Sequence, residues 1–443
     1  MVVNLFLLLV FLLVLILCIS KWKIHPFIAL IITAIALGVT LGLGGENTIS
    51  VVLEGFSKTL KWIAVIIIIG AFIGEVLRET GGAFRISDRI VKWVGQKKLP
   101  WAMGFTGYIV SIPVFVDVAY ILLQPVVESL SYKSKKPVLY LGLSLAAGLT
   151  VAHTLIPPTP GPLAVASLLG VEMGRLLMIN LIVASFAMVG GILWVVLFLK
   201  KAWLEYDKKL TKTYQEKSTE TKNNIQKGNW ILDVLPIIVP IVLISIGSFE
   251  FESLTGYTAD IINFISIPLV AVFIGAFIAV FQIPKKNKKR TINKLVEQAI
   301  VKSALVIMIT GAGGALGFVI KETGVQNEIV QIFSDFPFLG MLLPFLVAAM
   351  LTTATGSITV SLVGTASMLG PIINTFPMSP EIVAALIGCG SFCVFHVNSS
   401  FFWLLNRLHE APPKVLYKTF TVQSLIMGLS GLVGVLILLA LGF

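Results

Sequence analysis

The chain has 443 residues, of which 57% are hydrophobic and only 12% are charged, and its mean hydropathy is +0.96. These values exclude a soluble globular protein, in which about a quarter of the residues are charged. The net charge of +11 does not indicate nucleic-acid binding, because basic cytoplasmic loops give membrane proteins the same excess. We therefore predict an all-α polytopic protein of the cytoplasmic membrane, with the lipid bilayer and no nucleic acid among its partners.

Long apolar runs define the simplest spans. They approach the ~20 residues that cross ~30 Å of hydrocarbon as a helix, and they lie at 2–19, 24–43, 176–199 and 420–441. None alternates as a lipid-facing β-barrel strand would. The first run lacks a basic leader segment and a small-residue cleavage site, so we expect a retained span rather than a signal peptide.

The apolar stretch 101–127 has basic loops on both sides, at 78–98 and 133–136. Lys and Arg mark cytoplasmic loops, so both ends of this stretch are predicted inside. A segment of about 27 residues with both ends on one side suits a re-entrant hairpin of two half-helices better than a span. Its tip is predicted at 111–117, where Pro113 interrupts the helix.

The next stretch, 138–170, is predicted to cross outward as a broken helix. Its segment Pro157–Pro162 is too rich in proline and glycine for a simple kink. A polar, basic linker at 201–229 then divides the chain into a first repeat, 1–200, and a second repeat, 230–443.

The second repeat shows the same pattern with the loop charges reversed. Residues 338–375 are predicted to form a hairpin rooted outside, with its tip at 352–357, and 381–406 a helix broken at His396. Each repeat then has five transmembrane helices, one re-entrant hairpin and one broken helix. Because the repeats are inverted, both termini are predicted outside.

The residues themselves also reveal the duplication. His396 follows His153 by 396 − 153 = 243 positions, and the same shift carries Val76–Gly81 onto Val319–Gly324. An inverted repeat that duplicates a helix break is typical of secondary transporters, whose site lies at mid-membrane. A channel is less expected, because paired hairpins favour alternating access.

Backbone groups freed by the breaks cannot face lipid, so we expect them to line a polar cavity. Half-helix N-termini that point into it favour an anion. His153 and His396 could carry protons or bind hydroxyls, with helix packing as the alternative role. Asp117, an acidic residue at a tip, could bind the coupling proton or could cap a helix.

No enzyme constellation is present: the chain has neither His-Glu-x-x-His nor Gly-x-Ser-x-Gly. We predict no catalytic residues, no cofactor and no metal. The neighbouring Cys389 and Cys393 lack further ligands, so we expect them to be buried as small apolar residues.

Four segments resemble the gluconate permease family of proton symporters, within the ion transporter superfamily: His153–Pro162, Pro113–Asp117, Gly356–Val360 and His396–Asn398. The resemblance implies a scaffold domain that forms a homodimer and a transport domain that carries the site in an elevator-like motion. It also implies gluconate or related sugar acids as substrates, with hydroxylated amino acids such as D-serine in some members.

The breaks and the resemblance together predict the site. The substrate-binding residues are predicted to be Ser111, Pro113, His153, Thr154, Thr159, Gly161, Thr355, Gly356, Ser357, Thr359, His396, Asn398 and Ser399, with Asp117 and His153 in proton coupling.

The chain departs from the family pattern at two places. Family members usually carry Arg where this chain has Thr352, and they continue His-Val-Asn with Asp and a Gly where it has Ser399–Phe401. We expect proton-coupled uptake of a small hydroxylated carboxylate. Sodium coupling, anion exchange and a D-serine-like substrate stay open as alternatives.

Overall fold

The computed structural model describes residues 2–95, 98–202, 228–247, 257–284, 288–324, 337–397 and 399–442. The regular structure within these ranges is helical, as the sequence predicts. Five helical segments there are long and apolar enough to cross a membrane, or up to seven if each of two bent pairs is one span. Asn398 and most of the predicted linker lie outside the described residues.

The helices of the first half are α1 (Val2–Ser20), α2 (Pro26–Thr40), α3 (Gly45–Glu79), α4 (Gly82–Val94), α5 (Leu99–Val110), α6 (Val116–Ser134), α7 (Val138–Leu155), α8 (Pro160–Leu169) and α9 (Met173–Ala202). Those of the second half are α10 (Trp230–Ile246), α11 (Tyr257–Ser266), α12 (Pro268–Val280), α13 (Lys288–Glu322), α14 (Pro337–Thr355), α15 (Ile358–Leu369), α16 (Pro380–Ser391), α17 (Ser400–His409), α18 (Pro413–Leu416) and α19 (Val422–Ala440). A 3-10 turn, Gly370–Thr375, follows α15, and a π-helical turn, Tyr417–Thr421, precedes α19.

The two longest helices, α3 and α13, pack against each other in opposite directions. Each has 35 residues, and their first residues are 288 − 45 = 243 positions apart. Near one end Gly55 lies against Gly314, and near the other Glu79 pairs with Lys294 at 3.7 Å. Between these points the buried carboxylate of Glu75 pairs with Lys302 and with Arg78.

The chain reverses between α5 and α6. Gly104 of α5 lies against Ser144 of α7, and Gly148 lies against Tyr108, so α5 and α7 run in parallel. Phe115 lies against His153 near the end of α7, whereas Tyr120 lies against Gly142 near its start. Helix α6 therefore runs against α7 and against α5, with the turn at 111–115, inside the predicted tip.

Helix α4 is a feature that the loop charges conceal. The basic residues at 78–98 predict a loop, but 82–94 is an amphipathic helix with Ala83 and Ile86 buried and Trp93 exposed. The buried residues recur at helical spacing, which is the signal available in the sequence. Arg85 anchors α4 by two hydrogen bonds of 2.6 and 2.7 Å to the Asp233 carboxylate of α10.

The predicted return span at 261–282 is also more complex than the hydropathy suggests. It contains parts of two helices, α11 and α12, that meet at 75°. Pro268 stands at the first position of α12, where its missing N–H ends α11 and starts a new helix.

Candidate functional site

The break between α7 and α8 follows from its prolines. In an α-helix the carbonyls of His153 and Thr154 would accept from residues 157 and 158, but both are proline and have no N–H. The carbonyl of Leu155 accepts instead from the Asn180 side chain of α9 at 2.7 Å. Helix α7 therefore ends at Leu155, and a second helix can start at Pro160.

Asn180 escapes prediction from the sequence. It is 2% exposed, and its Oδ1 has no hydrogen-bond partner in the described structure. The only signal for it is a lone amide inside the apolar run 176–199.

The first hairpin tip and the first break meet at α3. Pro113 approaches Gly74 so closely that any Cβ at position 74 would overlap the Pro113 carbonyl oxygen. Ser111 closes the turn by donating to the carbonyl of Val114 at 3.2 Å. The close contact between the first tip and α3 therefore depends on the glycine at position 74 and on the compact turn at 111–114.

A small cavity lies between these parts. Its volume of about 10 Å³ holds about one water molecule. The residues that line it are Gly70, Ala71, Ile112, Pro113, Val114, Phe115, His153, Pro158, Thr159 and Pro160. The His153 ring lies 5.6 Å from the ring of Phe115, and its Nδ1 is buried without a partner among the described residues. His153 therefore lines the cavity and has a ring nitrogen without a partner among the described residues.

Two other predicted residues on these elements are hydrogen-bonded within their helix or exposed. The hydroxyl of Thr154 donates to the carbonyl of Thr150 at 2.7 Å, within α7. Asp117 lies in the first turn of α6 rather than in the turn itself, and it is exposed. Within the described structure it makes no hydrogen bond or ion pair.

The second tip is a two-residue turn. Gly356 has φ 71°, a left-handed conformation that favours glycine. Ser357 caps α15 by accepting from the amide of Val360 at 3.3 Å. Thr355 donates to the carbonyl of Leu351 at 2.7 Å, and Thr359 is partly exposed in the first turn of α15.

Thr352, where the resemblance implies Arg, lies outside the turn of the second tip. It is 0% exposed and donates to the carbonyl of Ser391 in α16 at 2.9 Å. Its hydroxyl therefore joins the second hairpin to α16.

The second break begins earlier than predicted. Helix α16 ends at Ser391, five residues before His396. Val394 has φ 61°, which is rare for a β-branched residue and cannot continue a helix. The freed amide of Phe395 donates to Ser424 of α19 at 2.9 Å.

His396 belongs to the second tip in this arrangement. Its Nε2 lies 2.8 Å from the carbonyl oxygen of Thr353. Ser399, which is 2% exposed, precedes the first residue of α17. The contacts thus join His153 to the first tip and His396 to the second.

The first break and the second tip also come together. Helices α8 and α15 lie side by side and run in parallel, since Gly161 lies against Leu362 and Leu168 against Gly370. Their N-termini are therefore neighbours. Because prolines flank it on both sides, Gly161 carries the free amide of the first turn of α8. Two adjacent helix N-termini form a region that favours an anion.

Apolar helices long enough to span a membrane, two broken helices and two neighbouring half-helix N-termini are typical of an integral membrane transporter. The chain belongs to the GntP permease family, whose model matches residues 3–442. It is therefore a transporter of the bacterial inner membrane and not an enzyme.

Similar proteins agree with this assignment. An uncharacterized permease of Haemophilus influenzae is 34% identical over 89% of this chain and 83% of its own length. The gluconate permease of Pseudomonas aeruginosa is 30% identical over 96% of this chain and 95% of its own. The D-serine transporter DsdX of Escherichia coli is 29% identical over 97% of both chains.

The fold is also similar to a solved transporter. The YdaH transporter of Alcanivorax borkumensis superimposes with a TM-score of 0.70, covering 95% of this chain and 99% of that one. The sequences are 12% identical, so the likeness concerns the fold alone.

Proposed function

We propose that the protein takes up a small hydroxylated carboxylate, gluconate or a related sugar acid, together with protons. The observation that carries this proposal is the pair of adjacent N-termini of α8 and α15. The amide of Gly161 and the N-terminus of α15 suit a carboxylate, and the unpartnered Nδ1 of His153 suits a hydroxyl. The relative named gluconate permease supports the substrate class.

The architecture we propose is a pair of inverted repeats, 1–200 and 230–443, joined by a cytoplasmic linker at 201–229. Each repeat has five transmembrane helices, a hairpin and a broken helix. The antiparallel packing of α3 and α13, equal in length and 243 residues apart, supports this. A two-fold axis between two such helices lies in the membrane plane. Basic residues of α4 support an inside location for that helix and outside locations for both termini.

Transport is proposed to use an elevator-like motion. Helices α3 and α13 belong to a scaffold, which we expect to form a homodimer, and the hairpins and broken helices belong to the moving transport domain. The cavity of about 10 Å³ is far too small for a sugar acid. A substrate therefore requires the tips to move away from α3.

Asp117 is the proposed proton carrier, and His153 the residue that links proton and substrate. An unpaired carboxylate at the start of α6 can bind a proton without breaking an ion pair. His396 and the residues of the second tip complete the proposed site, with Asn398 as a further member.

Two alternatives have support of their own. The carbonyls of His153 and Thr154, deprived of helical donors by prolines, are of the kind that coordinate Na⁺ in broken transporter helices. The likeness to a D-serine transporter favours a hydroxylated amino acid as the second substrate candidate.

Uptake of labelled gluconate into proteoliposomes tests the proposal. With acid outside and no sodium, we expect accumulation that a protonophore abolishes. Accumulation that requires sodium would show that sodium and not the proton is the coupling ion. Uptake of D-serine but not of gluconate would show that the substrate is a hydroxylated amino acid.

A further inference from the structure

Two pairs of glycines occupy the same positions in the two long helices. Gly70 and Gly74 of α3 correspond to Gly313 and Gly317 of α13 at the 243-residue shift. Glycines let a neighbouring element approach a helix closely. Each pair therefore marks a surface on which another element can dock.

The two surfaces are occupied at different levels. Gly74 meets the very tip of the first hairpin at Pro113. Gly313 meets α15 well beyond the second tip: a Cβ there would lie 2.5 Å from Cγ1 of Val363 and would also overlap Ser367. Ser367 is about 14 Å along α15 from its start, at ~1.5 Å per residue. The two equivalent glycine surfaces thus contact their hairpins at different distances from the tip.

The corresponding face of α6 is uncovered. Counted from the first residue of each helix, Ile121 of α6 matches Val363 of α15, and Asp117 matches Thr359. Val363 is 0% exposed, whereas Ile121 is 53% exposed and Asp117 is also exposed. Around Gly70 a Cβ would meet a single neighbour within 4 Å, the Pro158 carbonyl oxygen at 3.4 Å. At the positions of α3 and α6 that are equivalent to the contact between α13 and α15, Gly70 therefore has room for a Cβ and Ile121 is exposed.

We propose that in the opposite state of the transport cycle the exposed face of α6 docks on α3, with Ile121 against Gly70. The inference rests on the proposed alternating access of the inverted repeats. In that state the second tip moves up to Gly317, just as the first tip now lies at Gly74. The present arrangement is then the inward-facing state, because α6 leads toward the basic loops.

This docking would link proton binding to movement. Asp117 lies one turn before Ile121 and would enter the contact with α3. A charged carboxylate opposes such burial, whereas a protonated one can be buried at much lower cost. Protonation of Asp117 would therefore favour the docked state.

The other titratable groups near this face are accounted for. His153 of α7 faces Phe115, and His409 of α17 is bonded to Tyr120, with 2.5 Å between Nε2 and the hydroxyl oxygen. On the remaining packed helices, Tyr108 of α5 donates to Leu181, and Arg85 of α4 is paired with Asp233. On α6 itself Glu128 accepts from Gln124 at 3.1 Å, and on α3 the carboxylate of Glu75 is paired with Lys302 and Arg78. Asp117 is thus the group that the proposed movement would desolvate.

Disulfide trapping tests the proposal without a substrate. The three native cysteines are replaced by serine, and the variant Gly70→Cys with Ile121→Cys is oxidised in native membranes. We expect a cross-link that forms several-fold faster when Asp117→Asn is added. The control pair is Thr59→Cys with Ser167→Cys, where Ser167 now donates to the Thr59 carbonyl at 3.3 Å. It should cross-link more slowly in the Asp117→Asn background.

A complementary variant tests the same contact by function. Gly70→Ala fits the present state but should collide with Ile121 in the docked state, so exchange of substrate should fall several-fold. Adding Ile121→Ala should restore it. No cross-link between positions 70 and 121 while the control pair reacts, or a cross-link between two copies of the chain, would overturn the proposal. Neither result would bear on whether the substrate is a sugar acid.

Discussion

The side-chain amide of Asn180 donates to the carbonyl oxygen of Leu155 at 2.7 Å, where α7 breaks off in the middle of the bundle. Ser424 binds the freed backbone at the second break, where its hydroxyl oxygen accepts from the amide of Phe395 at 2.9 Å. Both side chains come from the last long helix of their half of the chain. Each break is therefore fixed by a neighbouring helix and does not depend on its own sequence alone.

Replacing Asn180 by leucine should loosen the first break. The carbonyl of Leu155 would lose its donor in a buried position, which costs about 1–3 kcal/mol. We expect a lower melting temperature and weaker substrate binding, both measured by thermal shift. Ser185→Ala, on the exposed face of the same helix, should change neither; equal effects from both variants would contradict this role.

Asp233→Ala should be strongly destabilising. Its carboxylate and Arg85 are nearly buried, with side chains 2% and 11% exposed, so removal leaves an uncompensated charge that costs about 3–5 kcal/mol. The matched control is Asp88→Ala, whose pair with Lys92 is largely exposed and contributes little. Chemical denaturation in detergent should separate the two variants clearly. Similar unfolding midpoints would mean that α4 is not held by this pair.

Gly161→Ala should weaken substrate binding more than folding. A Cβ at position 161 would lie 2.5 Å from Cδ1 of the buried Leu362, so either this side chain or the start of α8 would have to shift. Gly45→Ala is the control, because nothing lies within 4 Å of its Cβ position. Titration of gluconate by calorimetry should give a raised Kd for the first variant alone.

His153→Ala should also reduce affinity, because it removes a ring nitrogen that no described protein group uses. His25→Ala supplies the control, since His25 is exposed at the start of α2. An unchanged Kd for gluconate in His153→Ala would mean that His153 only packs against Phe115 and does not bind the substrate.

Local chemistry explains what the sequence could predict. Pro113, Gly356 and the segment 157–162 interrupt helices by their own conformational preferences, so helix ends near these positions can be predicted from the local sequence. The start of the second break could not be located from the sequence. Helix α16 ends at Ser391, and Val394 then takes a left-handed conformation that only tertiary packing can hold.

The missed contacts share one property: they join residues distant in sequence. Tyr120 and His409 are separated by 289 positions, and Arg85 and Asp233 by 148. No local pattern marks such pairs. The same applies to Asp117: its position close to the first tip was predictable, but its exposure and its lack of a partner among the described residues were not.

The central claim is that protons drive uptake through Asp117. The most direct measurement compares gluconate accumulation driven by a pH gradient in proteoliposomes containing the wild type or Asp117→Asn, with substrate exchange at equal pH as the control for folding. We predict that Asp117→Asn keeps exchange but loses accumulation driven by the gradient. Accumulation by Asp117→Asn that still follows the pH gradient would contradict the account.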